Sequence, residues 1–129
     1  MNNKKEIREL TKAEEEIMQQ LWVLKKAFVK EVIEKLPNPK PAYNTVSTVI
    51  RILETKGFVG HESFGKSHRY YPLIAKEEYK TFATGKLISS YFDNSAKSML
   101  SFFLEKEKLD IKEVDEILKV IEKAKKKYN

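Results

Sequence analysis

The chain has 129 residues, a formal net charge of +6 and no cysteine. Its length suits one domain, or a small domain with an added oligomerisation element, and the lack of cysteine excludes disulfides, thiolate chemistry and cysteine-ligated metals. The chain carries neither the apolar core of a signal peptide nor an apolar run of about 18 residues, so we expect a cytoplasmic protein without membrane insertion.

The first two predicted elements are helices. Thr11 and Glu14 match the capping-box pattern T-x-x-E, which predicts a helix from near Lys12 to near Lys25. We interpret the acidic run at positions 14–16 as part of its solvated face, because such runs usually pair with lysines at helical spacing. Apolar residues at helical spacing predict a second, short helix, and these are Val29, Val32, Ile33 and Leu36.

A proline-rich turn leads to a third helix. Pro37 and Pro39 close the second helix, since proline lacks an N–H donor, and Pro41 is expected as an early residue of the third. Gly57 is expected to end the third helix in a left-handed conformation. At about 100° per residue, one side of this helix is apolar. The apolar residues are Val46, Val49, Ile50 and Leu53.

The opposite side of the third helix is polar. It carries Asn44, Ser47, Thr48, Arg51 and Thr55. Because Arg pairs with guanine and Asn with adenine through two hydrogen bonds each, this side suits a helix that lies in the major groove of DNA. The alternative interpretation is an ordinary solvated helix face.

An extended pattern follows the third helix. Phe58–Glu62 and His68–Leu73 are predicted to be strands of a hairpin, with a turn at Gly65 and Lys66 at its tip. A basic tip typically meets the sugar-phosphate backbone of DNA, although an ordinary solvated hairpin is the alternative. Two helices, a turn, a third helix and this hairpin are typical of a winged helix-turn-helix head, which we assign to residues 1–75.

Cations outnumber acidic residues between positions 40 and 72. The acidic residues there are Glu54 and Glu62. His61 and His68 lie on the two predicted strands and are expected to face each other, but two histidines without a third ligand make a poor metal site. We therefore predict no metal. The cations are expected to form a phosphate-facing patch of Lys40, Arg51, Lys56, Lys66 and Arg69.

Residues 76–129 are predicted to form three amphipathic helices that make a dimerisation domain. Asp110 and Glu113 resemble a second capping box and mark the start of the last helix. The apolar stripes exceed what a small head can cover, so a second copy of the chain is the expected partner. The alternative is a monomer whose helices fold back on the head. The residues assigned to the dimer interface are Tyr79, Phe82, Leu87, Tyr91, Met99, Leu100, Phe103, Ile117, Leu118 and Ile121.

The sequence contains no motif for catalysis. A phosphate-binding glycine loop, a nucleophile elbow and the H-E-x-x-H pattern are all absent from it. We therefore predict a mainly α protein with a small β-hairpin wing that is not an enzyme, has no catalytic residues and needs no cofactor.

Across nearly its whole length the sequence resembles the penicillinase repressors, the BlaI/MecI family of bacterial winged-helix regulators. The resemblance rests on A-Y-x-T-V-x-T, K-G-F-V and G-K-x-x-x-Y-x-P, which stand in that order at 42–48, 56–59 and 65–72. It implies a homodimeric transcriptional repressor that occupies a palindromic operator in double-stranded DNA, often that of β-lactam-resistance genes. The DNA-contacting positions that it implies are Asn44, Thr45, Ser47 and Thr48, with the wing around Lys66.

The resemblance also implies how repression is relieved. In the resistance systems, a membrane-bound sensor of the antibiotic triggers proteolysis within the dimerisation region. The bond cut in the family aligns with Phe102–Phe103, where this chain has Phe102 in place of the family's Asn. Many relatives carry Arg at the position of Ile52, whereas the arginine here is Arg51, which helical geometry points outward.

Two other functions stay open from the residues. The first is a winged-helix module that binds another protein through the same third helix. The second is a regulator of this fold that responds to a small molecule. Such a molecule would bind among the aromatic residues Tyr79, Phe82, Tyr91 and Phe92.

Overall fold

The computed structural model describes residues 6–128. They form a mainly α fold with one small antiparallel sheet, so the predicted fold class is confirmed. The elements are α1 (Lys12–Leu24), β1 (Ala27–Phe28), α2 (Val29–Lys35), α3 (Tyr43–Thr55), β2 (Val59–Phe64), β3 (Ser67–Pro72), α4 (Lys76–Tyr91), α5 (Ala96–Lys106) and α6 (Ile111–Lys127).

The capping box predicted for α1 is confirmed. The Thr11 hydroxyl accepts a hydrogen bond from the Glu14 N–H at 3.2 Å, and the Glu14 carboxylate accepts one from the Thr11 N–H at 2.8 Å. These two bonds satisfy backbone donors that no earlier turn of the helix can reach. The local sequence therefore favours a helix that starts at this position.

The ends of α3 agree only in part with the prediction. Ala42 is the N-cap, so Pro41 lies before the helix and its placement inside α3 was wrong. At the other end, Gly57 has a φ of +83°, as expected of a left-handed cap. The Phe58 N–H donates to the Leu53 carbonyl at 2.9 Å and the Gly57 N–H to the Glu54 carbonyl at 3.0 Å. This pair of bonds closes the helix in a Schellman motif.

The sheet has the strand order β1-β3-β2. The predicted hairpin is confirmed, with Phe64 paired to Ser67 and a turn at Gly65 and Lys66 between them. Gly65 has a φ of +62°, which the first position of such a turn requires. The short strand β1 was not predicted, and it pairs Ala27 with Tyr70. We call the β2–β3 hairpin the wing.

Apolar side chains from α1, α2, α3 and the sheet form one core. The largest fully buried side chains are Met18, Leu21, Val32, Val46, Ile50, Leu53, Phe58, Val59 and Ile74. Trp22 borders this core, with its indole N–H donating to the Ile74 carbonyl at 2.9 Å. The core holds the inner side of α3 in place and leaves the other side to solvent.

Tyr79 belongs to this core, which corrects its assignment to a dimer interface. Its side chain is buried, and its hydroxyl accepts a hydrogen bond from the Leu10 N–H at 2.9 Å. Its ring centroid lies 5.8 Å from that of Phe58 and 5.7 Å from that of Phe82. A side chain with these contacts offers no open surface to a second chain.

The chain divides into two compact units, which we call the head and the tail, with the boundary between Thr84 and Gly85. The sequence placed this boundary near residue 75, but Tyr79 and Phe82 pack against the core, so the first turns of α4 belong to the head. In the tail, no described residue of α5 or α6 is buried. Asp110 caps α6 by accepting from the Glu113 N–H at 2.8 Å. Within residues 6–128, no helix has the length and apolar character that crossing a membrane requires.

Candidate nucleic-acid interface

The outward side of α3 carries the predicted polar residues. Asn44, Thr45, Thr48 and Arg51 are exposed, and Ser47 is half-buried. They stand opposite the buried stripe of α3, as helical periodicity requires. Two apolar side chains that the polar pattern did not include, Tyr43 and Ile52, are also exposed, at 51% and 44%.

A groove of about 690 Å³ lies between α3 and the wing. On the α3 side it is lined by Ser47 and Arg51, and on the wing side by Lys66 and His68. The structure thus brings Arg51 and Lys66, which are far apart in sequence, to the two walls of one groove. Its other lining residues are Phe28, Val29, Lys30, Glu31, Tyr43, Phe64, Ser67 and Tyr70.

The predicted cationic patch is smaller than expected, because two of its members have internal partners. Lys40 donates from Nζ to the Glu34 carbonyl at 2.8 Å and also to the Leu36 carbonyl, so it closes the proline-rich turn. Lys56 forms an ion pair with Glu14 at 2.8 Å. The ion pair neutralises Lys56, and the two carbonyl bonds hold the Lys40 ammonium at the turn, so the predicted five-residue patch is reduced.

The Glu14–Lys56 pair also corrects the solvated assignment of Glu14. The Glu14 side chain is only 5% exposed and that of Lys56 is 20% exposed. Burial disfavours the charged form of Glu14, but hydrogen bonds from Lys56 and Thr11 outweigh it, and the pKa of the carboxyl lies below its ordinary value. This ion pair connects the start of α1 to the end of α3.

Arg69 does not join Lys66 at the tip of the wing. It lies in the middle strand between Phe28 on β1 and Glu62 on β2. Successive side chains of a strand point to opposite faces, so Arg69 lies on the other face of the sheet from its buried neighbour Tyr70. Its Nε is buried and makes no hydrogen bond to another described residue.

The two histidines of the wing face each other, as predicted. Their rings stack with centroids 4.1 Å apart, and the His61 Nδ1 contacts the Glu54 carboxylate on α3. Both rings also contact Tyr70, at 5.8 Å for His61 and 6.1 Å for His68. Burial raises the pKa of the Tyr70 phenol, and the Glu54 charge adds to the effect. This cluster fixes the wing against α3.

Arg8 is a candidate that the sequence did not indicate. Together with Thr48, Arg51 and Thr55, it lines a second cleft, of about 510 Å³, on α3. Arg8 precedes the first helix, in a segment with neither helical nor strand periodicity. Its position beside α3 depends on tertiary packing, so no sequence pattern could reveal it.

These features define a class of protein. The outward polar side of α3, the preceding short helix and turn, and the wing that follows form a winged helix-turn-helix head. The penicillinase repressor family model matches residues 10–123, and the chain belongs to this family. The head therefore has the winged-helix fold that the sequence resemblance implied.

Similar proteins support this assignment. The methicillin resistance regulatory protein MecI of Staphylococcus aureus strain N315 is 29% identical over 116 residues, which cover 89% of this chain and 94% of that protein. The penicillinase repressor of Bacillus licheniformis is 26% identical over 122 residues, covering 94% and 95%. The solution structure of the DNA-binding domain of the repressor BlaI matches with a TM-score of 0.51 and 28% identity, covering 59% of this chain and 94% of that domain.

Proposed function

We propose that this protein is a homodimeric, sequence-specific transcriptional repressor that occupies a palindromic operator, of the kind that controls β-lactam-resistance genes. The observation that carries the proposal is the exposed polar side of α3 beside a groove whose walls hold Arg51 and Lys66. Membership of the penicillinase repressor family supports it. We infer a cytoplasmic location, because the proposed partner is an operator in DNA.

The outward side of α3 is proposed to read bases. Asn44, Thr45 and Thr48 are exposed and uncharged, so they can hydrogen-bond to base edges in the major groove. Arg51 adds a planar guanidinium that suits the two acceptors of guanine. Ser47 lies deeper, in the wall of the groove, where it can meet the DNA backbone.

The wing is proposed to hold the DNA backbone. Lys66 is exposed at the tip and forms no ion pair with another described residue, so its charge is available to a phosphate group. Arg69 lies on β3, the strand that follows Lys66. Its positive charge is proposed to support the attraction of the DNA backbone. Contacts of this type position a protein on DNA without reading sequence.

The tail is proposed to hold the dimer. Several of its apolar side chains are exposed in the single chain, including Leu87 at 45%, Tyr91 at 77% and Leu118 at 52%. Exposed apolar area of this extent on three helices favours a protein partner, and a second copy is the simplest one. The proposed interface comprises the half-buried Phe82 together with Leu87, Tyr91, Met99, Leu100, Phe103, Ile117, Leu118 and Ile121.

A two-fold dimer also explains how short recognition helices could achieve specificity. Two copies of α3 would enter successive major grooves, roughly 34 Å apart, on one side of the duplex. Linking the two binding events raises the overall affinity well above that of one head. The operator is then expected to be palindromic, because its symmetry mirrors that of the protein.

The proposal is tested by selecting fragments of the source genome that bind the full chain and then measuring their binding across a salt series. Repressor binding should weaken steeply from low to physiological salt, because each cation that contacts a phosphate releases a counterion. A chain that shifts no duplex DNA even at low salt would instead favour a module that binds a protein through α3.

Single substitutions separate the two kinds of DNA contact. Arg51→Ala or Thr48→Ala should weaken binding to the selected fragment by about 1–3 kcal/mol for each half-site and leave binding to a scrambled duplex little changed. Lys66→Ala should weaken both duplexes alike and reduce the salt dependence. Equal losses on both duplexes for Arg51→Ala would remove Arg51 from the residues that read bases.

Relief of repression by cleavage at Phe102–Phe103 is also proposed. This bond lies inside α5, where both side chains are exposed, at 50% and 43%, and Phe102 contacts Phe92 at 5.6 Å. A protease needs an extended segment, so α5 must unwind locally before the bond can be cut. The test is to follow the intact chain in cells that carry the membrane-bound sensor and receive a β-lactam. Fragments that end at residue 102 are expected, and a stable intact chain would contradict the proposal.

A small-molecule response is less well supported. Tyr79 and Phe82 contact each other and the head core, so part of the suggested aromatic pocket is filled by the protein's own side chains. The same DNA-binding assay tests this alternative, because a true effector would change the affinity for the selected fragment.

A further inference from the structure

Three cationic side chains line the second cleft on α3. Among residues 6–128, the lining residues are Arg8, Thr48, Arg51, Ile52, Thr55 and Lys56, none of which is acidic. Arg51 also lines the groove beside the wing, so it stands between the two depressions. By helical geometry, Thr48, Ile52 and Thr55 lie on the flank of α3 away from the wing. The cleft therefore extends the outward side of α3 on its other flank.

Arg8 stands on a segment that is fixed to the head. Ile7 before it packs against the core, and Leu10 after it is 7% exposed. The Leu10 N–H donates to the Tyr79 hydroxyl, and Thr11 then caps α1. Because these anchors lie on both sides of Arg8, binding through its side chain requires little ordering of the backbone.

No ion pair among the described residues balances the two arginines of the cleft. Lys56 is neutralised by Glu14, whereas neither Arg8 nor Arg51 forms an ion pair with another residue of the described chain. Two guanidinium groups that line one cleft without a carboxylate attract an anion. A phosphodiester group suits Arg8, because a planar guanidinium can donate two parallel hydrogen bonds to phosphate oxygens.

We propose that Arg8 binds the phosphate backbone of double-stranded DNA on the flank of α3 that faces away from the wing. Lys66 and Arg8 would then hold the backbone on the two sides of the recognition helix, with Arg51 between them. This inference rests on the proposed function, because it adds a contact to the same DNA-binding surface. It identifies a role for the segment before α1.

The experiment measures binding of the full chain to a random-sequence duplex longer than two helical turns across a salt series. The variants are Arg8→Ala and Arg8→Lys, and the control is Lys76→Ala. Lys76 is exposed at the start of α4, and the clefts that it lines contain Trp22 but no residue of α3. Each copy of the proposed dimer would lose one phosphate contact, so Arg8→Ala should reduce the magnitude of the slope of log affinity against log salt by about 1.8. The advantage of the wild type over Arg8→Ala should then shrink about 12-fold from roughly 50 to 200 mM salt.

Arg8→Lys keeps the charge and should retain the wild-type slope, and Lys76→Ala should match the wild type. Thermal melting of each variant checks that the head is folded. If the wild type binds but Arg8→Ala keeps the full slope, or if Lys76→Ala loses as much, the role of Arg8 is wrong and the repressor proposal stands. If the wild type binds no duplex at low salt, both the proposed function and the role of Arg8 fail.

Discussion

The head and the tail differ in where their apolar side chains lie. In the head, apolar residues of α1, α2, α3 and the sheet converge on one core in which Phe58, Ile50 and Leu53 are fully buried. In the tail, α5 and α6 have regular caps, yet none of their described residues is buried. Helices of both regions have caps and amphipathic patterns, so these local features do not explain the difference in burial.

The difference indicates what each region needs in order to fold stably. Helices of fewer than about 15 residues are marginal in water, and most of their stability comes from packing an apolar face. The head supplies that packing from its own chain, whereas the tail leaves Leu118 at 52% and Ile121 at 41% exposure. We therefore expect substitutions in the head to act on folding and those in the tail to act on association.

The largest expected effect is on the head core. Phe58→Ala should destabilise the protein by about 3–5 kcal/mol, because it removes a fully buried aromatic side chain and leaves a cavity. Urea denaturation followed by circular dichroism measures the change. The control is Val120→Ala in the tail, a residue that is 69% exposed, which should change stability by less than about 0.5 kcal/mol. Similar losses for both variants would erase the contrast between the regions.

The next effect concerns association of the tail. Burial of a leucine contributes about 1.5–3 kcal/mol, and a two-fold interface loses this contribution from both copies. Leu118→Glu should therefore weaken the dimer by about 100-fold or more, as measured by sedimentation equilibrium. Val120→Glu places the same charge on the same helix but away from the apolar stripe. It should leave the dimer intact, and a monomeric wild type would overturn this prediction together with the proposed dimer.

A smaller effect is expected at the ion pair between α1 and α3. Glu14→Gln keeps the oxygen that accepts from the Thr11 N–H but leaves Lys56 without its charged partner. It should cost about 1–2 kcal/mol at neutral pH, less than for a fully buried pair because Lys56 is partly exposed. The control is Glu15→Gln, which changes an exposed neighbour.

The same variant predicts a pH dependence. The folded-state pKa of Glu14 is lowered, so the unfolded chain binds its proton more readily as the pH falls. The stabilisation is complete well above the ordinary value of 4.5 and is lost as the pH falls through the lowered pKa. Thermal melts in acid should therefore bring the wild type and Glu14→Gln together. A difference that stays constant with pH would mean that the charge of Glu14 does not stabilise the head.

The smallest effects are expected at two glycines that both face open space. Gly65 has a φ of +62° in the wing, so Gly65→Ala should destabilise the head by about 1 kcal/mol through backbone strain. Gly85 lies inside α4 at the start of the tail, and Gly85→Ala should stabilise that helix by about 0.5–1 kcal/mol. Chemical denaturation of both variants should give changes of opposite sign, and changes of the same sign would contradict the assigned backbone conformations.

Local signals in the sequence predicted most of the elements. The capping box at Thr11, the glycine after α3 and the turn at Gly65 each act within a few residues, and all three are present in the structure. The strand β1 was missed because two residues carry no periodicity, and Ala27 becomes a strand only by pairing with the distant Tyr70.

The site was predicted less completely than the fold, because charge partners depend on tertiary contacts. The polar side of α3 follows from helical period alone, and Arg51 is exposed as projected. By contrast, Glu14 and Lys56 meet across the head, and Arg8 reaches the flank of α3 from the segment before α1. The spacing of these residues in the sequence does not indicate that they meet. The predicted cationic patch therefore included Lys56, which is paired, and omitted Arg8.

The position of Trp22 determines what an optical measurement of this protein reports. It is the chain's single tryptophan, and its indole N–H is bonded to Ile74 while its ring lies 6.2 Å from that of Tyr79. All three residues belong to the head, so tryptophan emission, unlike the emission of Tyr91 and Tyr128 in the tail, follows the unfolding of the head alone. A denaturation curve recorded by tryptophan emission, set beside one recorded by helical content, therefore separates the two regions without any label.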